Sequence, residues 1–233
     1  MLSSHNPETR YYVRRLERLS SLSLIVEETL ATRLTQLGAN VSAVAETMEG
    51  DSRDEYIEWH SEDFFMLADE LPTMMRYSIM VGAESALEAY IGKTCESFAT
   101  QTVTRLKHTD LSGSGIDRMR DYLKKVANMP FPDSGTEWIT MKNLRKIRNA
   151  FVHADGVVLA DRDAVRAWSQ GFDGLQISDA GTVTLTETFA QRVISTYLKF
   201  GESFDAACDC LPLVPEFSVL AVEHDSTTPE IDH

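Results

Sequence analysis

The residues best suited to chemistry lie in one short run at the end of a strong helical pattern. The run is Arg148-Asn149-Ala-Phe-Val-His153, an R-N-x-x-x-H arrangement. A histidine can move a proton near neutral pH, and a guanidinium can hold a phosphate. Such a pair can serve metal-independent cleavage of RNA, in which a 2′-hydroxyl attacks the adjacent phosphorus. A purely structural interpretation also stands, in which Arg148 pairs with a buried carboxylate and His153 caps the helix.

The spacing of the two residues limits how they can cooperate. Five residues rotate an ideal helix by about 500°, so Arg148 and His153 lie about 140° apart. They cannot both contact one phosphate from a single regular helix. Either the helix unwinds near His153, or a second copy of the chain contributes across a two-fold axis.

The helix that carries this run has one polar and basic face. Its members are Lys142, Lys146, Asn149 and His153, with Arg145 at the border. We expect Asn149 to orient His153 or a phosphate oxygen. We expect the cations at 142, 145 and 146 to hold an RNA backbone without reading its sequence.

Arg148 lies instead at the margin of the apolar stripe, so we expect it to be partly buried and to need an acceptor. Glu84 or Glu88, from an earlier helix, could supply one. Glu84 falls on the apolar stripe of its own helix, and Arg76 is eight residues away, too far for a direct pair. Another helix should therefore provide or share the cation that Glu84 needs.

The sequence from Trp138 to Gly156 resembles the HEPN superfamily, a group of all-α domains linked to nucleic acids. Its members carry an Arg, a polar residue, three or more variable residues and then a His. The segment 76–90 is similar to the long helix that precedes the motif helix in such proteins. The segment 122–131 is similar to the lead-in, and Trp138 to the aromatic residue that opens the motif helix. The resemblance covers roughly residues 70 to 210.

The resemblance implies an antiparallel helical bundle and a homodimer that brings two Arg/His sets into one cleft. It implies an endoribonuclease that acts as a toxin or antiviral-defence effector and is restrained by an antitoxin or sensor protein. The catalytic residues would be Arg148, Asn149 and His153, with no metal or cofactor. The expected products carry 2′,3′-cyclic phosphate and 5′-hydroxyl ends, and DNA should resist because it lacks the 2′-hydroxyl.

Charge is distributed unevenly along the chain. The formal net charge is −14, which opposes binding to nucleic acid, yet residues 103–153 hold ten Lys or Arg against five Asp or Glu. The segment 44–72 holds ten acidic residues against Arg53. A local RNA-binding site on a surface that otherwise repels RNA would fit this pattern. Charged helix faces that simply contact solvent would fit it as well. His60 in the acidic segment suggests a metal site, although a solvated face is the simpler interpretation.

Composition favours a soluble cytoplasmic protein. No apolar run reaches the roughly 18 residues of a membrane helix, and the amino terminus lacks a signal pattern. Three cysteines argue against a disulfide framework, and Cys208 and Cys210 lack the further ligands of a zinc site.

The periodicity predicts an all-α fold with a small β-hairpin before the last helix. We divide the chain into a helical extension (1–50), a HEPN-like domain (51–212) and an acidic flexible tail (213–233). One or two helices are expected over 7–47. Further helices are expected over 51–70, over 72–102, from 116 to near Pro130 and over 138–155, and a last one begins at Thr186 or Thr188. The hairpin would pair 175–177 with 183–185.

Two other functions remain open. A non-catalytic dimeric module that binds a protein or nucleotide partner would suit the overall acidity, because it needs no polyanion. A small-molecule enzyme has less support, since the chain contains no phosphate loop, nucleophile elbow or metal-ligand spacing.

Overall fold

The fold is all-α, with a small β-hairpin before the last helix. The computed structural model describes residues 7–101 and 106–210 of the chain. Its helices are α1 (Pro7–Ala45), α2 (Asp51–Trp59), α3 (Ser61–Phe65), α4 (Leu71–Gln101), α5 (Gly115–Lys125), α6 (Thr136–His153), α7 (Arg162–Ser169) and α8 (Phe189–Cys208). A π-helical turn, Met66–Glu70, joins α3 to α4, and a 3-10 turn, His108–Asp110, precedes α5.

Four long helices, α1, α4, α6 and α8, enclose the core. Helix α1 packs against α4 and α8, and α6 packs against the same two helices. Helices α1 and α6 share little contact with each other, so they lie on different sides of the α4–α8 pair. None of the described helices is long and apolar enough to cross a membrane.

Helical periodicity explains which residues fill this core. The sequence predicts a last helix whose large apolar residues are Phe189, Val193, Tyr197, Phe200 and Phe204. All five are buried in α8. In α6 the sequence predicts an apolar stripe at spacings of three and four, made of Trp138, Met141, Leu144, Ile147 and Phe151. The first four are buried and Phe151 is partly buried. Each fully buried side chain of this size contributes about 1.5–3 kcal/mol. These contacts fix how α6 is rotated, and therefore which of its faces reach solvent.

Helix α1 belongs to the same core. Tyr12 and Leu16 are buried, and the Tyr12 hydroxyl donates a 2.6 Å hydrogen bond to the carbonyl of Tyr197 in α8. Thr9 donates a 2.6 Å hydrogen bond to the buried carboxylate of Asp205, which also accepts one from Tyr90 in α4. These hydrogen bonds tie the first long helix to the last. The division of the chain at residue 50 stays a prediction.

The carboxyl end of α6 is closed as the sequence indicates. Gly156 has a φ of 76°, and its N–H donates to the carbonyl of Ala150, six residues earlier. This is a helix-ending pattern that favours glycine. Val157 then forms an isolated bridge with Thr182, so the chain leaving α6 runs directly beside the hairpin.

The hairpin pairs β1 (Leu175–Ile177) with β2 (Val183–Leu185) in antiparallel register, as predicted. Its outer residues are buried and the central ones exposed. Arg76 of α4 donates to the carbonyl of Leu185 at 2.7 Å and forms an ion pair with Glu27 of α1 at the same distance. One guanidinium thus links α1, α4 and the hairpin.

The acidic segment differs from its prediction in one respect. The helix expected over 51–70 is interrupted at His60, where α2 ends and α3 begins, and it then widens into the π-helical turn. The His60 ring lies 3.0 Å from the Asp63 carboxylate. Within the described residues, no group of three or more His, Cys, Asp or Glu side chains is arranged to hold a metal ion. The predicted acidic tail, residues 213–233, lies outside the described residues.

Candidate functional site

Arg148 and His153 both lie in the last turns of α6, but they open onto different clefts. Arg148 lines a cleft of about 280 Å³ between α6, α4 and the start of α5, here called the arginine cleft. His153 lines a cleft of about 250 Å³ between α6 and the segment 157–161, here called the histidine cleft. The helix stays regular to His153, so no unwinding brings the two side chains together within one chain.

The arginine cleft contains more carboxylates than cations. It is lined by Glu84 and Glu88 of α4, Asp117 of α5, and Arg145 and Arg148 of α6, among others. Both candidate acceptors named from the sequence therefore border Arg148. Glu84 is half-buried, with 16% of its side chain exposed, whereas Glu88 lies in solvent.

The cation that neutralises Glu84 is chiefly Arg145. The Arg145 Nε atom donates to the Glu84 carboxylate at 2.9 Å, and its Nη1 atom donates to Asp117 at 2.8 Å. Burial would lower the Arg145 pKa, but the hydrogen bond and charge of Glu84, aided by Asp117, raise it. Arg145, expected to hold an RNA backbone, is instead held by two carboxylates of its own chain.

Arg148 is bound more loosely. Its Nε atom lies 3.9 Å from the second Glu84 oxygen, beyond hydrogen-bonding distance, and has no hydrogen-bond partner among the described residues. Its Nη1 atom donates to the side-chain oxygen of Asn149 at 3.1 Å. The Nε atom itself is buried, whereas 40% of the whole side chain is exposed, so an anion could reach the outer end of the guanidinium.

Asn149 lies between the two clefts. Its side-chain oxygen accepts the hydrogen bond from Arg148, while the residue itself lines the histidine cleft. It therefore connects the Arg148 guanidinium to the surface that carries His153. The role expected for Asn149, orienting His153 or a phosphate oxygen, stays a prediction, since its side-chain oxygen contacts Arg148 instead.

The histidine cleft is mainly apolar, with one ion pair at its edge. His153 is exposed, and the walls include Val157, Val158 and Leu159. Lys146 donates to the Asp161 carboxylate at 2.7 Å, and this hydrogen bond holds the Asp161 pKa below its usual range. Lys142, further along the same helix, is exposed and makes no ion pair within the described part of the chain.

Much of the basic excess of residues 103–153 is neutralised by neighbouring carboxylates. Arg120 pairs with Asp121, Lys124 with Asp133 and Lys125 with Asp121, at 2.7–2.8 Å. Arg145 and Lys146 are paired as described above. The local net charge of this segment therefore overstates the positive field that an RNA would meet. Among its described residues, Lys107, Arg118 and Lys142 make no ion pair, and Arg148 is only loosely paired.

Sequence reasoning missed two partners and one surface. Asp117 pairs with Arg145 because α5 folds back against α6, and Asp161 pairs with Lys146 because the segment 157–161 does the same. The spacing of residues in the sequence does not reveal either contact. A helical wheel of α1 does show the missed surface, since Arg10, Arg14, Arg15 and Arg18 follow one side of it.

Comparisons of the chain with models of protein families, with curated proteins and with solved structures find no match. The geometry of the two clefts therefore carries the functional argument.

Proposed function

We propose that this chain is a HEPN-type ribonuclease that cleaves RNA without a metal ion, at a site completed by a second copy of itself. One observation carries the proposal. Arg148 and His153 reach solvent through different clefts on the same two turns of α6, with Asn149 between them. A two-fold axis near these turns would place the arginine of one chain opposite the histidine of the other.

Exposed apolar side chains beside His153 support an interface there. Val152 is 46% exposed and Leu159 is 78% exposed, and Leu159 also lines the histidine cleft. Burying apolar area against a second copy is favourable by about 25 cal/mol per Å². Residues of this kind at the rim of a catalytic cleft suit a dimer in which each chain covers the other's histidine.

The proposed reaction is an internal transesterification of RNA. One His153 takes the proton of a 2′-hydroxyl, whose oxygen then bonds to the adjacent phosphorus. Arg148 stabilises the negative charge that develops on the phosphorane oxygens. The bond from phosphorus to the 5′-oxygen breaks, and that oxygen receives a proton from water. The products are a 2′,3′-cyclic phosphate and a 5′-hydroxyl.

The direct test is RNA cleavage in the presence of EDTA. Wild-type protein and His153→Ala are incubated with total tRNA and with RNA of mixed sequence, and the new ends are mapped. We expect cyclic-phosphate ends from the wild type and none from the variant. His60→Ala, which changes a histidine on the acidic segment, is the matched control and should cleave normally. A well-folded wild-type dimer that leaves both RNAs intact would contradict the proposal.

A mixing experiment tests the composite site itself. Arg148→Ala and His153→Ala are each expected to be inactive, but a mixed dimer of the two contains one intact Arg/His pair. Random exchange makes half of the dimers mixed, and each has one working site of two, so activity should return to about a quarter of the wild-type value. No recovery after verified subunit exchange would mean that the site does not combine residues from two chains.

Cleavage of cellular RNA would harm the host, so we propose that an antitoxin or sensor protein restrains the activity. Induced expression should then arrest growth, with relief by His153→Ala but not by His60→Ala. The exposed acidic residues of the α2–α3 segment offer a surface for a basic partner.

The second candidate is a non-catalytic dimeric module that binds a protein or nucleotide. The internal pairing of Arg145 and Lys146 favours it, because these cations are already neutralised by Glu84, Asp117 and Asp161. A stable dimer with no RNase activity would support this alternative, and a partner pull-down would then identify what it binds.

A further inference from the structure

A second basic surface lies on α1, at a distance from the two clefts. It consists of Arg10, Arg14, Arg15 and Arg18 around Tyr11, and we call it the α1 arginine patch. The spacing of one, three and four residues keeps these side chains on one side of the helix. That side is turned away from Tyr12 and Leu16, which are buried in the core. Together with Pro7 they line a shallow cleft of about 380 Å³.

The arginines of the patch make no ion pair with any described residue, unlike Arg145 of α6. Within residues 7–101 and 106–210, none of the four makes an ion pair or a side-chain hydrogen bond. Two acids lie nearby in α1, Glu8 and Glu17, so residues 7–18 carry a net charge of +2 (four Arg against two Glu) in a chain of −14. Glu8 is close enough to Lys93 of α4 to help Glu96, the larger cause, raise the Lys93 pKa. Arg10, Arg14 and Arg18 are exposed and Arg15 is partly exposed, and none of the four is paired with another described residue.

We propose that the α1 arginine patch binds the backbone of single-stranded RNA. Guanidinium groups bind phosphates through paired hydrogen bonds, and Arg10, Arg14 and Arg18 recur at each turn, about 6 Å apart along the axis. Tyr11, 62% exposed, lies among them. An exposed aromatic ring within a basic surface is the arrangement on which unpaired bases stack. An acidic polypeptide would use the charges but would gain little from the ring.

The patch is a holding site, separate from the site of cleavage. Helices α1 and α6 lie on different sides of the α4–α8 pair, so the patch does not border the arginine or histidine cleft. This inference rests on the proposed function, because the proposed ribonuclease activity is the reason for choosing RNA as the bound strand. If both hold, the patch retains long substrates and raises the apparent affinity without touching the reacting phosphate.

Binding is measured on the full chain carrying His153→Ala, so that the probe stays intact. The probe is a fluorescein-labelled oligouridylate, followed by anisotropy over a range of salt concentrations. Arg14→Ala with Arg18→Ala should weaken binding and reduce the slope of log K against log salt by about 1.4, since each lost phosphate contact accounts for about 0.7. Tyr11→Ala should weaken binding about fivefold or more, as expected for the loss of one stacked base.

Arg33→Ala is the matched control, because Arg33 is an exposed arginine further along α1 and outside the patch. It should leave both affinity and salt slope unchanged. Equal losses in all three variants, or no loss in any, would overturn the proposal. Poly-glutamate that displaces the RNA and binds Tyr11→Ala as tightly as the parent would also overturn it, in favour of an acidic protein partner.

Cleavage by protein with an intact His153 separates this inference from the proposed function. The Arg14→Ala, Arg18→Ala variant should show a raised KM for long RNA with an unchanged kcat. Unchanged KM alongside normal cleavage refutes the patch alone. Patch-dependent binding without any cleavage refutes the ribonuclease and leaves the RNA surface in place.

Discussion

The ion pair between Arg145 and Glu84 should stabilise the fold more than any surface pair of this protein, and the difference is measurable. Glu84 is 16% exposed and Arg145 is 26% exposed, and their atoms approach to 2.9 Å. Removing either side chain leaves the other charge half-buried without its main partner. Removing Arg145 leaves the Glu84 carboxylate free in the arginine cleft, and removing Glu84 leaves the Arg145 guanidinium free of this partner.

The expected magnitude follows from this partial burial. Breaking a fully buried ion pair costs about 3–5 kcal/mol, whereas an exposed pair contributes about 0.2–1 kcal/mol. A hydrogen bond to a charged group contributes about 1.5–3 kcal/mol. Since both side chains are mostly but not completely covered, we expect a coupling energy of about 2 kcal/mol between Glu84 and Arg145.

The assay is a double-mutant cycle read by urea unfolding. Glu84→Met, Arg145→Met and the double variant are compared with the wild type, using midpoints at constant m-value. The matched control is the Lys93–Glu96 pair of α4, which has the same 2.9 Å separation but exposures of 58% and 59%. Its cycle, with methionine at both positions, should give a clearly smaller coupling, because water screens both of these exposed charges.

A coupling between Glu84 and Arg145 no larger than that of the exposed control would refute the reasoning. It would show that water screens the arginine cleft as fully as it screens the open surface. Asp117, which also accepts from Arg145, would then have to carry the whole of any cost seen for Arg145→Met.

Two further outcomes concern the core. A Cβ atom at Gly201 would lie 2.5 Å from the Tyr12 ring, so Gly201→Ala should destabilise the protein by about 1–3 kcal/mol in thermal unfolding. A Cβ atom at Gly92 would meet only the Met119 sulfur, at 3.5 Å. Gly92→Ala should therefore be neutral or stabilising in the same assay. Burial raises the pKa of the Cys95 and Cys208 thiols to about 12, so both stay protonated at pH 8. Cys210 is exposed, and we expect it alone to react quickly with a disulfide reagent. Three equally fast thiols would contradict this burial.

The sequence predicted the elements better than it predicted their partners. The stripes of α6 and α8 identify their buried faces, because tertiary packing selects the apolar side of a regular helix. The end of α6 at Gly156 follows from local backbone preference. The break at His60 did not follow, since no proline or glycine marks it, and the π-helical turn was not expected although Pro72 follows it closely.

The candidate site shows the same limit. The angle between Arg148 and His153 follows from helix geometry alone, and the structure places them in separate clefts as that angle requires. The sequence also indicates that another helix should provide the cation for Glu84, but it does not show that Arg145 is that cation. Asp161 has a backbone φ of 54°, and its carboxylate pairs with Lys146. No side-chain pattern in the sequence indicates this pair.

The hydrogen bonds between α1 and α8 have a consequence for biosynthesis. Thr9 and Asp205 are separated by 196 positions. At about 5–20 residues per second, a ribosome needs roughly 10–40 seconds to make the second partner after the first. During that time the apolar side of α1 has no α8 to cover it. We therefore expect the packing of α1 against α8 to be completed only late in synthesis.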